Sequence, residues 1–440
     1  MYKKFSSFEE LVSDFTTRDP VALRYVGDED NIHEISYAEL AEMILSETER
    51  IKAKHGDVEV VRDEQSPETI VSIFAHVMAG CDIIMADPMV PDDAVSKASA
   101  AAAAAKAARP KTEGEGELLF FTSGTTSRSK IVRLTSKSFC TSAWSGQSML
   151  ACGEGDVILS ILPLSHVFGF VCSMLWGFAY GATIALGRGV RHIIDDTLFF
   201  RPTILPAVPT LIGAMLKYDT LNPELKVALI GAAPCTAEVT AALRAKGIDV
   251  YLGYGLTETS SGIAITQDLD EPEALYPCPG ADFRIEEDGE VTIATPCMMQ
   301  GYIGAEPMFK GDRFFTGDLG WFDEKGRLHL KGRKKDVLLM ADGTKIFCPE
   351  YEEELERLTG LPDLGVTMKD GHAVLVAGSL SNDPAIEADM RAKLLKTVGK
   401  YNKYLQRSQQ IYDVIVRAES LPRTATGKIK RYELQEQISK

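Results

Sequence analysis

No two cysteines in this 440-residue chain are spaced as C-x-x-C; Cys81, Cys140, Cys152, Cys172, Cys235, Cys278, Cys297 and Cys348 lie far apart. That spacing argues against a disulfide scaffold and against structural zinc, and a reducing, cytoplasmic setting is expected. No secretory leader is expected either, because the lysines of "MYKKFSSFEELVSDF" have no apolar segment behind them. Positive charge is in deficit: 47 Lys and Arg stand against 63 Asp and Glu, a net charge of −16. Nucleic acid is therefore disfavoured as the main partner, since phosphate backbones demand clustered cations. Long uncharged runs are scarce. The one from Val167 to Leu186, "VFGFVCSMLWGFAYGATIAL", has the length of a bilayer crossing. Its internal glycines predict instead a buried helix, a glycine stop and a buried strand, so no transmembrane segment is expected.

What is present suffices for more than one hydrophobic core, at 45% apolar residues. "SYAELAEMILSETERIKAKHG" has helical spacing, and "DIIMADP" reads as a buried strand entering a proline turn. "SKASAAAAAAKAARPKTEGEGE" favours helix by its alanines but offers nothing to anchor a core, so a surface helix and a linker are expected. From Leu118 to about Ile265, strand-like runs such as "VILSIL", "TIAL", "TILPAV" and "VALIGA" alternate with helical stretches, the pattern of α/β layers. From Gly280 the texture changes to hairpins turning at Asp288-Gly289 and near Lys325-Gly326, with a third in "VLLMADGTKIF". The expected fold class is α/β, with α+β in a small second domain. The expected division is an N-terminal domain 1–334 and a C-terminal domain 335–440. The first comprises a reduced subdomain 1–117, an α/β core 118–279 and a β-rich subdomain 280–334.

Residues 118–135, "LLFFTSGTTSRSKIVRLT", pass from an apolar run into glycine, serine and threonine with three cations. Backbone N–H groups and small hydroxyls in such a loop can wrap phosphate oxygens. A Walker A loop needs glycine directly before its lysine and serine or threonine directly after it. Ser129 and Ile131 flank Lys130 instead, which counts against a P-loop phosphotransferase. Taken alone, the segment reads equally well as a solvated Ser/Thr loop between strands.

Six further motifs follow "TSGTT" at 122: "PLSHVFGF" at 163, "GAAP" at 231, "GYGLTE" at 253, "TGD" at 316, "GRKKD" at 332 and "RTATGK" at 423. Each is weak or moderate by itself. Together, from about Phe120 to Arg431, they make the chain resemble the adenylate-forming superfamily of acyl-CoA synthetases, luciferases and peptide-synthetase adenylation domains. Phrases such as "LPLSHVFGF" look most like the fatty acyl-CoA synthetase branch. The resemblance implies an AMP-forming acid–thiol ligase using ATP, Mg2+ and coenzyme A on a carboxylic acid, a fatty acid first of all. The chemical need is plain. A carboxylate acylates poorly because its leaving group would be oxide, and linkage to the α-phosphate of ATP converts that into AMP. Such a site must bring an anion to a polyanion and stabilise the added charge.

Carried over residue by residue, the resemblance makes Thr122, Ser123, Gly124, Thr125, Thr126 and Lys130 a cradle for the β- and γ-phosphates. Ser127, Ser129 and Ile131 replace the family's usual glycine, proline and glycine, which bears on loop motion and rate. Gly231, Ala232, Ala233 and Pro234 would lie flat against the purine, and Tyr254, followed by Gly255 and Leu256, would stack on it. Thr257 would bond the α-phosphate, Glu258 hold Mg2+, and Asp318 accept both ribose hydroxyls with Arg333 beside it. Lys428 would place its ammonium between carboxylate and α-phosphate when a mobile C-terminal domain closes. Lys335 matches the hinge, the hairpin at Gly343 would face the thiol acceptor, and His166 would gate the carboxylate pocket.

Plainer readings stay open at each position. Glu258 is an ordinary exposed glutamate, Tyr254 half-buried packing, Asp318 a turn former, Lys428 part of a basic tail, and His166 a hydrogen-bonded core residue. An acyl carrier protein is an alternative acceptor. Amino acids are disfavoured as substrates, because "VFGFVCSM" offers no carboxylate for their ammonium. A non-catalytic descendant is hard to reconcile with the retention of Glu258, Asp318, Arg333 and Lys428.

Overall fold

Short aliphatic runs without a polar face become strands buried on both sides. Val21–Val26, Thr183–Leu186, Val157–Ser160, Ile204–Ala207, Val227–Ile230 and Asp249–Leu256 line up in that spatial order as parallel neighbours. The computed structural model describes residues 2–27, 31–52, 58–109, 114–122, 130–306, 309–340, 342–423 and 429–439.

The sheet changes character within one strand. Asp249 to Leu252 pair in parallel with Val227–Ile230, whereas Gly253 to Leu256 pair antiparallel with Ser261–Thr266. Beyond that point all pairings are antiparallel, through Leu275–Pro277, Leu328–Arg333, Arg313–Phe322, Glu290–Ala294 and Asp282–Ile285. The predicted hairpin turns are present, with Gly289 and Gly326 at φ of +89° and +75°.

A second sheet sets Val58–Arg62, Asp82–Ala86 and Glu117–Phe121 in parallel, then Ile131–Thr135 antiparallel to the last of these and Gly301–Ile303 antiparallel to Ile131–Thr135. The "LLFF" run therefore belongs to a different sheet from "VILSIL", and its strand pairs antiparallel with Ile131–Thr135. Tilted and edge-on phenylalanine contacts join this sheet to its neighbours. Phe170 lies 4.7 Å from Phe139 and 5.6 Å from Phe120, and Phe8 lies 4.6 Å from Phe74, measured between ring centroids.

The uncharged run is a buried helix with one widened turn. It comprises Val167–Phe170, a π-turn over Val171–Leu175 and Trp176–Tyr180, closed by Gly181 at φ +87° and followed by Thr183–Leu186. Among the described residues no helix is long and apolar enough to cross a membrane. The alanine-rich segment corrects an expectation. Its helix, Asp92–Ala107, buries Val95, Ala98 and Ala102, and the last two join Ile84, Leu119 and Ile131 in one apolar cluster. Methyl groups suffice there because a helix of small side chains can sit close to a sheet.

After residue 336 a two-stranded hairpin, Val337–Leu339 with Lys345–Phe347, leads to a three-stranded sheet. Leu364–Lys369 and His372–Gly378 are antiparallel, and Ile411–Arg417 returns parallel after the helix Pro384–Tyr401. Buried residues between Met340 and Ile438 form two clusters of their own. The fold is thus mixed α/β, as expected.

Candidate active site

The strand that changes pairing partner carries "GYGLTE". A bulge lies between Tyr254 and Gly255, and a Cβ on Gly255 would sit 1.9 Å from the Ser261 carbonyl oxygen. Only glycine fits that approach. Gly255→Ala is expected to destabilise the protein by about 3 kcal/mol, the upper range of overpacking effects, read as a lowered thermal midpoint. Past the strand, Thr257–Thr259 make a single 3-10 turn. The turn is braced by Thr259, whose hydroxyl accepts the Leu256 N–H and donates to the Ser261 carbonyl, each at 2.9 Å. Ser260 and Ser261 have φ of +53° and +103°, a strained pair that holds Thr257 and Glu258 at the sheet's end.

Glu258 is only partly buried. Its Oε1 accepts the Tyr302 hydroxyl at 2.7 Å, and the Met299 N–H reaches its carbonyl at 2.8 Å. Tyr302 lies opposite Val132 in the second sheet, beside the neck formed by Thr122 and Lys130. That neck is closed by Thr122 N–H to the Lys130 carbonyl at 2.9 Å and by Lys130 N–H to Thr122 Oγ1 at 3.2 Å. The Lys130 ammonium lies 4.6 Å from the Tyr302 ring centroid, a cation–π contact. Thr122, Lys130, Tyr302 and Glu258 therefore meet, although 180 residues of sequence separate the first from the third.

A second group forms around Asp318, 6% exposed. Tyr254 donates its hydroxyl to Oδ2 at 2.6 Å, and Arg333 Nε holds Oδ1 at 2.6 Å from the facing strand. Burial, with the Asp318 charge beside it, pushes the Tyr254 phenol well above its ordinary pKa, so it is a neutral donor throughout the physiological range. "GAAP" follows the neighbouring parallel strand. Ala232 has φ +65°, residues 232–234 are exposed, and Gly231 is buried with the Phe168 ring 3.1 Å from where its Cβ would be.

His166 is exposed, which corrects the reading of it as a core residue. It precedes the helix Val167–Phe170. Its loop is held from behind: Ser165 N–H and Oγ both bond Asp63 Oδ2 at 2.8 Å, and Gln65 Nε2 bonds the Leu162 carbonyl at 2.8 Å. Burial raises the Asp63 carboxyl pKa despite those bonds. Lys335 lies in the turn Lys334–Asp336, and Gly343 at the hairpin tip has φ +85°. Ser123, Gly124, Thr125, Thr126 and Lys428 lie outside the described residues. Tyr302 and Asp63 had no sequence signal: each acquires its position from sheet pairing or burial and belongs to no motif.

Polar groups at the carboxyl ends of parallel strands, where pairing reverses, define the ligand-binding end of an α/β protein. Comparison with known proteins shows which proteins the chain is similar to. Residues 105–303 match the AMP-binding enzyme family. A 2-succinylbenzoate–CoA ligase of Bacillus velezensis is 29% identical over 72% of this chain and 68% of that protein. A long-chain-fatty-acid–CoA ligase, FadD15 of Mycobacterium bovis, is 27% identical over 64% and 56%. The o-succinylbenzoate CoA synthetase of Bacillus subtilis superposes in complex with its acyl-adenylate at a TM-score of 0.78, with 22% identity and 98% of both chains covered. Its complex with ATP and magnesium gives 0.77, again at 22% identity, over 98% of this chain and 100% of that one. This chain is thus similar to AMP-binding enzymes over residues 105–303, and it shares the fold of these CoA ligases.

Proposed function

We propose that this protein is an AMP-forming acid–CoA ligase that converts an apolar carboxylic acid, aryl or fatty, to its acyl-adenylate and then to its CoA thioester. The observation that carries the reading is the pair of carboxylates flanking one strand. Glu258 is bonded by Tyr302 on the phosphate-loop side, and Asp318 is bonded by Tyr254 and Arg333. One carboxylate suits a metal shared with phosphates, and the other suits two vicinal hydroxyls. Among the described residues no three His, Cys, Asp or Glu side chains cluster as a metal cage. A lone glutamate fits Mg2+, which takes one or two carboxylates and completes its shell with phosphates and water. Bound there, the ion would neutralise phosphate charge during attack on the α-phosphorus.

The chain's own residues do the rest of the work on this reading. Thr122, Ser123, Gly124, Thr125, Thr126 and Lys130 hold the outer phosphates, while Tyr254 and the 231–234 stretch flank the purine. Asp318, oriented by Arg333, receives the ribose. Thr257 bonds the α-phosphate, His166 stands at the carboxylate entrance, and Lys428 joins the two anions. The N-terminal unit 1–334 thus binds, and the unit 335–440 turns about Lys335 to present first Lys428 and then the Gly343 hairpin. The wall near the acid supports an apolar substrate: Phe168 lies over Gly231, and Cys172 contacts Ser261 at 3.8 Å.

Pyrophosphate–ATP exchange with 2-succinylbenzoate, octanoate, dodecanoate, palmitate and phenylalanine tests the reading. Exchange with an aryl or fatty acid and thioester formation on adding CoA are expected. Exchange with phenylalanine alone, or ADP as the nucleotide product, would overturn it. Transfer to a phosphopantetheinyl carrier protein and not to CoA would move it to the alternative acceptor. Tyr302→Phe should weaken the apparent Mg2+ affinity about tenfold, the scale seen when a metal ligand loses its orienting partner. A magnesium titration of the exchange rate reads that directly.

A further inference from the structure

Glu290 opens the strand Glu290–Ala294 and is 4% exposed, yet it takes part in no motif. Its two carboxylate oxygens serve different parts of the molecule. Oε1 accepts the Gly317 N–H at 2.9 Å, and Oε2 accepts the Lys334 ammonium at 2.7 Å. Gly317 has φ +72° and stands directly before Asp318. Thr316 braces the same loop, donating its hydroxyl to the Val291 carbonyl at 2.7 Å and accepting the Asp318 N–H at 3.0 Å. Lys334 directly follows Arg333 and also binds Asp288 Oδ2 at 2.6 Å. Asp288 and Glu290 together hold the Lys334 ammonium above its ordinary pKa.

The bonds on either side of this turn go to different bodies. Arg333 and Lys334 are tied to Asp318, Asp288 and Glu290 in the antiparallel sheet. Asp336, two residues on, is tied to Arg431 at 2.8 Å, and Arg431 in turn binds Glu352 at 2.7 Å and the Val366 carbonyl at 3.0 Å. Lys335 lies between these anchors. Beside them a cavity of about 420 Å3, bordered by Asp288, Trp321, Lys331, Lys345, Glu350 and Tyr351, separates the sheet from the following elements. The turn 334–336 therefore joins two separately anchored stretches of chain.

We propose that Glu290 is a positioning residue that couples the Asp318 loop to the hinge: one buried carboxylate holds the backbone beside Asp318 and, through Lys334, the large-body anchor of the turn at Lys335. The coupling rests on the function proposed above. A buried carboxylate deprived of its cation is costly, so releasing Lys334 disturbs Gly317, and a shift at Gly317 loosens Lys334. Orientation of the C-terminal unit and geometry at Asp318 then change together.

Lys334→Met, Glu290→Gln and the double variant test this in the full chain. Glu290→Gln keeps an oxygen for the Gly317 N–H and removes the ion pair without leaving a buried charge. Lys334→Met removes the same pair and leaves the carboxylate uncompensated, so Glu290→Gln carries the test if Lys334→Met loses stability. Without substrate, hydrogen–deuterium exchange over 314–340 should rise at least threefold in each variant. With the acid selected by the panel, adenylate formation and transfer from separately prepared adenylate to CoA should change unequally, their ratio moving at least fivefold. The double variant should match the singles, and Lys334→Arg should return the ratio to within about twofold. Equal losses in both half-reactions, multiplicative effects in the double variant, or unchanged hydrogen exchange would each overturn the coupling. Absence of adenylate in the wild-type protein would instead sink the proposed function, and the hydrogen exchange would still decide whether Glu290 links loop and hinge.

Discussion

Lys428→Ala is expected to slow acyl-adenylate formation about 10²- to 10³-fold, some 3 kcal/mol or more, the usual cost of removing one preorganised donor from developing charge. On the proposed reading, the compact ammonium acts where two anions approach, and neither binding nor CoA attack needs it there. Attack of CoA on preformed adenylate should therefore stay within about threefold of wild type, since the charge being stabilised belongs to the first step alone. Stopped-flow release of pyrophosphate and single-turnover thioester formation measure the two steps separately. Equal loss in both would remove Lys428 from the role.

Asp318→Ala should raise the KM for ATP about a hundredfold with a smaller effect on kcat. Hydrogen bonds to a charged acceptor contribute about 1.5–3 kcal/mol each, and loss of two amounts to roughly 3 kcal/mol, or two decades of affinity. The substitution also leaves Arg333 and the Tyr254 hydroxyl without their shared acceptor. Asp318→Asn keeps one carbonyl oxygen and opposes its amide to either Tyr254 or Arg333, so an intermediate KM is expected. Direct nucleotide binding by calorimetry separates affinity from turnover. An unchanged affinity for ATP would assign Asp318 to structure alone.

Much of this site was legible before any coordinates because its chemistry is carried by short contiguous words. "GYGLTE" places a glycine, an aromatic and a carboxylate within six residues, and the backbone forces them to the end of one strand. Hairpin turns were legible for a similar reason: glycine at positive φ is a local requirement, as at Gly289 and Gly326. The alanine-rich helix was misjudged because the depth at which a methyl group is buried depends on how closely the facing sheet comes, and no local pattern records that. The plainer reading of His166 as a core residue fails for a similar reason. Its apolar neighbours turn inward while the loop pinned by Asp63 turns the histidine outward.

Local order along the chain was enough to define the α/β class, the hairpins and the strand-end positions of Tyr254 and Glu258, because each depends on residues a few places apart. Asp318, expected to follow a strand, lies instead within Arg313–Phe322. Tyr302 beside Lys130, Asp63 beneath Ser165 and Glu290 between Gly317 and Lys334 came only from the folded chain. Those partners lie from 27 to 172 residues apart. Their meeting depends on strand register and sheet order, which are settled by the burial of whole layers and not by any neighbour in sequence.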